Sequence, residues 1–241
     1  MKIISWNCNG AFRKKFELLD PENPDVLIIQ ECEDPNQSSS SSYKAWAKNY
    51  IWIGENKHKG LGIFCKDNVK AERLDWPGHG LKYFIPCRIN ERFNLLAVWT
   101  KNAKSYWYIG QLWSYLQHHK SALTESEAVI CGDFNSNPIW DKPSRCWNHS
   151  DVVRELGDIN LYSIYHDLCG EAHGQESQPT LFMYRDLKKS YHIDYAFASK
   201  KFFSKQNSSL VIGRPEDWLA HSDHMPIIFT LGGADLDKAS S

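Results

Sequence analysis

The chain has 241 residues, with 28 Lys and Arg against 29 Asp and Glu and a formal net charge of −1. That balance excludes a global electrostatic pull toward nucleic acid or a membrane surface and leaves such contacts to local basic patches. A hydrophobic content of 42% supports a real core, and the length fits one large α/β or all-β domain.

Ile3–Trp6 reads as a strand that stops at Asn7-Cys8-Asn9-Gly10, so Asn7 emerges at its carboxyl end before a glycine turn. A helix is expected over 11–19, with Phe12, Phe16 and Leu19 on one face and Arg13-Lys14-Lys15 mostly on the other, ended by Pro21 and Pro24. Asp25–Gln30 is a second buried strand, and Glu31 sits at its end. The serine run Ser38–Ser42 predicts a flexible loop, followed by a short helix over 43–49 and a strand over 50–53. Lys57–Phe64 reads as a basic turn into another strand, whose glycines permit close backbone approach. Strands are expected over 83–89 and 93–99, the second ending in Trp99-Thr100-Lys101-Asn102. Residues 106–121 carry helical spacing at Ile109, Leu112, Trp113 and Leu116.

Ala128–Cys131 is a short apolar run rich in β-branched residues that ends at Gly132. Beyond it, Asp133 and Asn135 alternate about Phe134. An extended chain sends both polar side chains to one face and Phe134 to the other, at the mouth of a sheet where ligands of α/β proteins bind. The alternative is a Gly-Asp turn with Asn-Ser capping the next segment. A helix over 151–156 capped by Ser150 follows, then an ambiguous stretch over 161–165, a polar loop over 170–179 and a strand over 180–184. Residues 191–198 alternate as a strand that places Asp194 among residues expected to be buried, so its carboxylate needs a partner such as a His. An outer strand over 210–213 and a last strand over 227–230 complete the chain, with Ala220–Pro226 between them. Residues 1–231 are expected to form one domain, and 232–241, small and polar, a disordered tail.

The seven Cys are spread singly with no Cys-x-x-Cys pair, and Cys8, Cys32, Cys65 and Cys131 lie within or beside apolar runs, as reduced thiols do. The sequence opens on a strand, and it contains no long apolar span. A cytoplasmic protein without a membrane span is the expectation, with no obligate protein partner evident. The ten Trp and eleven Tyr are assigned by default to the core.

Asn7, Glu31, Asp133, Asn135, Asp194, Asp223 and His224 together make a set of hard oxygen donors, a His, and an Asp able to orient it. Such a set suits Mg²⁺, which takes one or two carboxylates, keeps waters and bridges to phosphate; it has too few soft ligands for zinc.

The motifs Ser5-Trp6-Asn7-Cys8-Asn9-Gly10, Ile29-Gln30-Glu31, Gly132-Asp133-Phe134-Asn135-Ser136, His192-Ile193-Asp194-Tyr195 and Ser222-Asp223-His224-Met225-Pro226 resemble, in order, those of the endonuclease/exonuclease/phosphatase superfamily of exonuclease III and DNase I. The resemblance implies a four-layer α/β sandwich, with two mixed β-sheets packed face to face and helices outside. It implies a hydrolase of phosphoester bonds in which Mg²⁺, with Mn²⁺ as a possible substitute, is bound by Glu31 with Asn7 beside it. Asp133 and Asn135 match the pair handling the attacking water and the phosphoryl group. Asp194 matches the residue that orients His224, His224 the residue that meets the scissile phosphate, and Asp223 an assistant to metal or His. Whether Asp133 or His224 takes the water's proton stays open at this point. Many relatives carry Tyr or His where this chain has Trp99; that indole either stacks on a substrate ring or belongs to the core, and Thr100 or Lys101 can fill the position instead.

The leading substrate expectation is nucleic acid, DNA or RNA. Lys14, Lys15, Lys57, Lys59, Lys101, Lys188 and Lys189 are placed around the sheet ends, and Trp99, Trp140 and Trp147 are available to stack bases. Leu181, Tyr191 and Ile193 match, in part, the aromatic pocket of abasic-site endonucleases. A phosphorylated small molecule as substrate and a catalytically inactive binding module are the alternatives.

Overall fold

The computed structural model describes residues 1–102, 106–202 and 208–232. In chain order the strands are β1 (Lys2–Asn7), β2 (Val26–Cys32), β3 (Tyr50–Asn56), β4 (Lys59–Cys65), β5 (Ala71–Arg73), β6 (Phe84–Ile89), β7 (Phe93–Trp99), β8 (Ala128–Asp133) and β9 (Leu161–Ser163). The two-residue strands β10 (Leu181–Phe182) and β11 (Ser190–Tyr191) form a small hairpin, and β12 (Asp194–Ser199), β13 (Ser209–Ile212) and β14 (Ile227–Thr230) follow. The α-helices are α1 (Ser41–Trp46), α2 (Ile109–Thr124), α3 (His149–Gly157), α4 (Ile164–Cys169) and α5 (Pro215–Trp218).

Two six-stranded mixed sheets result, in the orders β13-β14-β1-β2-β4-β3 and β5-β6-β7-β8-β12-β9. The continuous apolar runs of the central strands explain why both faces of each sheet are covered. With a period of two, Ile3, Ile28, Leu95 and Val129 enter the core between the sheets, while their neighbours Ile4 and Ile29 pack with Phe12, Phe16 and Tyr43 on the other face. Leu96 and Ile130 meet Leu112, Leu116, Val152 and Leu156 of α2 and α3. The architecture is the four-layer α/β sandwich, and each fully buried Ile or Leu in it contributes roughly 1.5–3 kcal/mol.

Strand direction brings the polar termini to one edge. β2 runs parallel to β1 and β8 parallel to β7, whereas β14 is antiparallel to β1 and β12 antiparallel to β8. The carboxyl ends of β1, β2 and β8 therefore share an edge with the beginnings of β12 and β14. Asp194 lies directly across from Asp133, and Trp99 lies across from Asp133 on its other side.

Local structure departs from the sequence reading at several points. The helix expected over 11–19 is instead two 3-10 turns, Phe12–Lys14 and Phe16–Glu22, entered through Ala11 in the left-handed region (φ 53°) and broken at Lys15. Phe12, Phe16 and Leu19 are still its buried face. The serine run is not a free loop: Ser40 caps α1 by accepting from the Tyr43 N–H, and Tyr43 is buried. Asn148, rather than Ser150, caps α3 in a reciprocal box with Asp151. The strand expected over 180–184 stops at Phe182, before a turn in which Tyr184 has φ 60°. The one over 191–198 is interrupted at His192-Ile193, because the N–H groups of Ile193 and Asp194 both donate to Thr180 Oγ1 instead of to a strand. Gly232 of the expected tail donates to the Phe202 carbonyl, and 233–241 lie outside the described residues. Among the described residues no helix is long and apolar enough to cross a membrane.

Candidate active site

Strand β8 brings a carboxylate to its last position because Gly132, at φ 150°, lets β8 lie against β7: a Cβ there would stand 1.9 Å from the Val98 carbonyl oxygen. Asp133 is fully buried. Its carboxylate accepts from Asn7 Nδ2 (2.9 Å), Asn135 Nδ2 (2.9 Å) and the Asn135 backbone N–H (2.9 Å). The pairing of Asp133 with Asn135 does not arise from an extended chain. Asn135 turns into the left-handed region (φ 46°), which folds its amide back onto Asp133 and the Thr100 carbonyl while Phe134 enters the core.

The β12 and β14 ends supply a second pair. His224 Nδ1 stands 2.9 Å and 3.2 Å from the two oxygens of Asp194, and both residues are buried. Ser222 holds the histidine segment, accepting from the His224 N–H and donating to the Asn7 carbonyl, and Trp6 Nε1 donates to the His224 carbonyl. One ligating atom each of Asp133, Asp194 and His224 lies within 4.8 Å of the others. Burial alone would neutralise His224, but the charges of Asp194 and then Asp133 outweigh it and hold the imidazole protonated well above its ordinary value. Burial, then the like charge of Asp194, pushes the Asp133 carboxyl up.

Glu31 occupies a β-bulge, the one extra residue between the Gln30–Leu61 and Cys32–Gly60 pairs, at φ 65°. The bulge re-aims a carboxylate that regular alternation would have directed into a sheet face, and its Oε2 pairs with Lys59 Nζ at 2.7 Å. Asp223 accepts from Asn9 Nδ2 at 3.0 Å. Asn7, Glu31, Asp133 and Asp223 thus offer oxygen donors at one sheet edge, and Glu31, partly exposed and neutralised by a flexible ammonium, has the chemistry to exchange that ammonium for a divalent cation. This donor set fits a hard metal ion.

Two expected substrate contacts find other surroundings. Trp99 is 3% exposed, packs against Tyr83 (4.7 Å between ring centroids), and carries the Lys101 and Lys59 ammoniums at 4.5 Å and 5.8 Å. Of its two readings, core is the one the packing matches; the stacking surface is closed. Lys101, with Tyr83, lines a cavity of about 490 Å³ that is also lined by Glu55 and Asn102 and by none of the carboxylate–histidine cluster. Lys15 is no substrate-facing cation: its ammonium donates to the carbonyls of Cys8, Gly10 and His221 at 2.6–2.8 Å. Lys14, Lys57, Lys188 and Lys189 are exposed. Trp140 is exposed beside Tyr191, whereas Trp147 packs on Gly110 of α2. Leu181 and Ile193 are buried, so they do not line an open pocket.

Thr180, Ser222, Lys15 and Lys59 hold the site together; the sequence marked the two lysines only as cations for a substrate, and gave Thr180 and Ser222 no role. Ser222 stood inside a quoted motif; nothing in the pattern around Thr180 or Lys15 marks a role that depends on atoms far away in the chain.

Fold and strand-edge cluster define a hydrolase of the DNase I-like α/β sandwich class, acting on phosphoester bonds. The model of the Endonuclease/Exonuclease/phosphatase family matches residues 4–224, and the chain belongs to that family. It is similar to a DNA-(apurinic or apyrimidinic site) endonuclease of Dictyostelium discoideum, with 25% identity over 267 aligned residues, covering 94% of this chain and 69% of that one. Among solved structures it resembles a 3'-5' exonuclease from Neisseria meningitidis and an AP endonuclease from Archaeoglobus fulgidus. Each superposes with a TM-score of 0.67 at 20% identity, covering 96% of this chain and 99% of the other.

Proposed function

We propose that this chain is a Mg²⁺-dependent nuclease that hydrolyses phosphodiester bonds of DNA. The observation that carries the reading is the convergence of Asp133, Asp194 and His224 within 4.8 Å, at the same sheet edge as Asn7 and Glu31. The abasic-site endonuclease among its relatives supports DNA over a small phosphorylated molecule.

Glu31 and Asn7 would hold a divalent ion, Mg²⁺ or Mn²⁺ in its place, and such an ion would supply charge neutralisation at the phosphoryl oxygens and activation of water. The protein's own groups do the rest. Asp194 fixes the orientation of His224 through Nδ1 and stabilises its cationic form, as in other Asp–His pairs. Kept protonated, His224 donates to the phosphoryl oxygen on which negative charge grows. A protonated imidazole cannot also accept the water's proton, so that task goes to Asp133, whose raised proton affinity suits it to the role. Asn7 and Asn135, both donating to Asp133, keep its carboxylate aimed; Asp223 contributes negative charge that helps hold His224 cationic.

The test is a panel of labelled duplexes, intact, abasic, or ending in a 3'-phosphate, incubated with the protein and Mg²⁺, with Asp133→Asn as control. Cleavage at the abasic site or from 3' ends that is lost in Asp133→Asn supports the reading. Release of phosphate from small monoesters with every duplex left intact contradicts it.

A further inference from the structure

A second cluster of ligand-type side chains lies away from the strand-edge site. His166 on α4 and His173 and Glu176 on the loop that follows each offer an atom within 4.8 Å of the others. His166 Nε2 is 3.1 Å from Glu176 Oε1, close to the roughly 3.3 Å that separates two ligands of a tetrahedral ion with bonds near 2.0 Å. The His166 and His173 rings lie face to face, 3.5 Å between centroids, and two further imidazoles flank them: His149 centred 5.6 Å from His173, and His192 centred 5.9 Å from His166.

Three rings of this cluster carry buried nitrogens without a partner, and one of them, His173, is a prospective ligand. His149 is fully buried, yet neither of its ring nitrogens has a partner. His173 Nδ1 and His192 Nε2 are likewise buried and unpaired. Four orphaned nitrogens among four clustered rings are unusual, since buried polar atoms are as a rule satisfied by protein, water or an ion. Two of the prospective ligands, His166 and Glu176, are by contrast held in place. Ser163 Oγ lies 2.7 Å from His166 Nδ1, which leaves Nε2 as the ligating nitrogen. Glu176 is oriented by the Gly174 N–H on one oxygen and Asn137 Nδ2 on the other. A cavity of about 150 Å³, lined by Ser163, His166, Asp167, His173 and Phe197, provides an approach and room for a water.

We propose that His166, His173 and Glu176 form a second metal site, selective for a first-row transition ion of the Zn²⁺ type, with water in the fourth position. Two imidazoles and one carboxylate are a donor set for Zn²⁺, Co²⁺ or Ni²⁺ and a poor one for Mg²⁺, so this site and the oxygen-rich edge sort different ions. Binding requires the stacked His166 and His173 rings to splay, because their in-plane lone pairs are nearly parallel when the rings lie 16° from coplanar. The ion ties α4 to the loop ending at Thr180, the residue whose hydroxyl receives the Asp194 N–H. Asn137 extends the same tie toward the strand-edge cluster, since its amide also donates to the His192 carbonyl and to Tyr195. The site is therefore a staple linked to Asp194 through Thr180, and takes no part in bond cleavage.

The test uses the full-length protein, stripped with chelator and dialysed, in wild-type and Glu31→Gln forms. Zn²⁺ is titrated against a competing chromophoric chelator, and Co²⁺ binding is followed by its visible absorption. We expect the Glu31→Gln protein to bind one equivalent of Zn²⁺, with a Tm rise of about 5–10 °C at a hundredfold excess over Kd and none from Mg²⁺. We further expect a tetrahedral Co²⁺ spectrum, and at least a hundredfold weaker Zn²⁺ binding in Glu31→Gln/Glu176→Gln and Glu31→Gln/His173→Asn. Should those double variants fail to fold, the Co²⁺ spectrum of Glu31→Gln alone still decides. An octahedral spectrum, no Zn²⁺ equivalent in Glu31→Gln, or unchanged binding in folded double variants overturns the proposal. None of these readouts depends on whether the protein cleaves DNA.

Discussion

Replacing Lys15 by Met should damage both stability and the site, although Lys15 touches no reacting group. Its half-buried ammonium gathers the carbonyls of Cys8 (2.6 Å), Gly10 (2.8 Å) and His221 (2.7 Å), joining the loop after β1 to the segment that carries Asp223 and His224. Burial lowers the proton affinity of this lysine, and its three carbonyl partners replace the water its ammonium has lost. Hydrogen bonds to a charged donor contribute about 1.5–3 kcal/mol each when well buried. Discounting for partial solvent screening and for water that replaces the ammonium at some of the carbonyls, the Met variant should lose about 3 kcal/mol. For a chain of this length that lowers Tm by roughly 6–12 °C. Because Asn7, Asn9, Asp223 and His224 are the residues whose spacing the clamp sets, kcat should fall more than KM rises. Lys14→Met is the matched control, since Lys14 is exposed and adjacent in sequence; it should change stability by less than ~0.5 kcal/mol. Urea and thermal denaturation of both variants, with steady-state kinetics, make the comparison. Equal stability of the two proteins, or a Lys15→Met variant with intact Tm and a raised KM, would refute the clamp and make Lys15 a substrate contact.

Asp194→Asn should leave the fold in place but lower kcat by about 10³-fold or more, because a neutral amide no longer holds His224 cationic; a loss under tenfold at saturating substrate would contradict the Asp–His pairing. Gly132→Ala should cost about 3 kcal/mol or more by urea denaturation, since its Cβ meets the Val98 backbone at 1.9 Å between paired strands. A variant as stable as wild type would mean that β7 and β8 are not packed as described. Asp25 gives a pH signature. Burial raises its carboxyl's proton affinity, but the Lys2 N–H, then the Lys66 hydrogen bond and charge, outweigh that and hold it below the ordinary carboxylate value. A depressed folded-state pKa stabilises the protein above about pH 4 and ceases to do so as the pH falls through the folded value. Asp25→Asn should thus be about 1 kcal/mol less stable than wild type at pH 7, with the gap shrinking below about pH 4; a pH-independent gap would sink the assignment.

The strand framework was legible because it depends on local signals. Apolar runs such as 26–29 and 128–131 are buried on both faces, and the residues that end them are polar, so strand and terminus can be read together. The order of the motifs brought Asn7, Glu31, Asp133, Asn135, Asp194, Asp223 and His224 onto one list before any geometry was known. What the sequence hid was non-local or strained. The 3-10 turns over 12–22 have the same buried Phe12, Phe16 and Leu19 as the α-helix that periodicity suggests, and only the break at Lys15 distinguishes them. Glu31 and Asn135 reach the site by left-handed backbone, which an alternating pattern cannot encode. Trp99 was ambiguous for a related reason: an aromatic residue at a strand end reads the same whether lysines cover it, as Lys59 and Lys101 do, or a base would. The ring cluster of His149, His166, His173 and His192 is spread over 44 positions and has no ligand spacing to find.

The most direct measurement is single-turnover cleavage of an abasic-site duplex with and without Mg²⁺, using wild type, Glu31→Gln and His224→Ala, each verified as folded by circular dichroism. The site described here predicts cleavage that vanishes without the divalent ion and falls by at least ~10³-fold in each variant. Cleavage that survives chelation, or that persists at wild-type rate in His224→Ala, would contradict it.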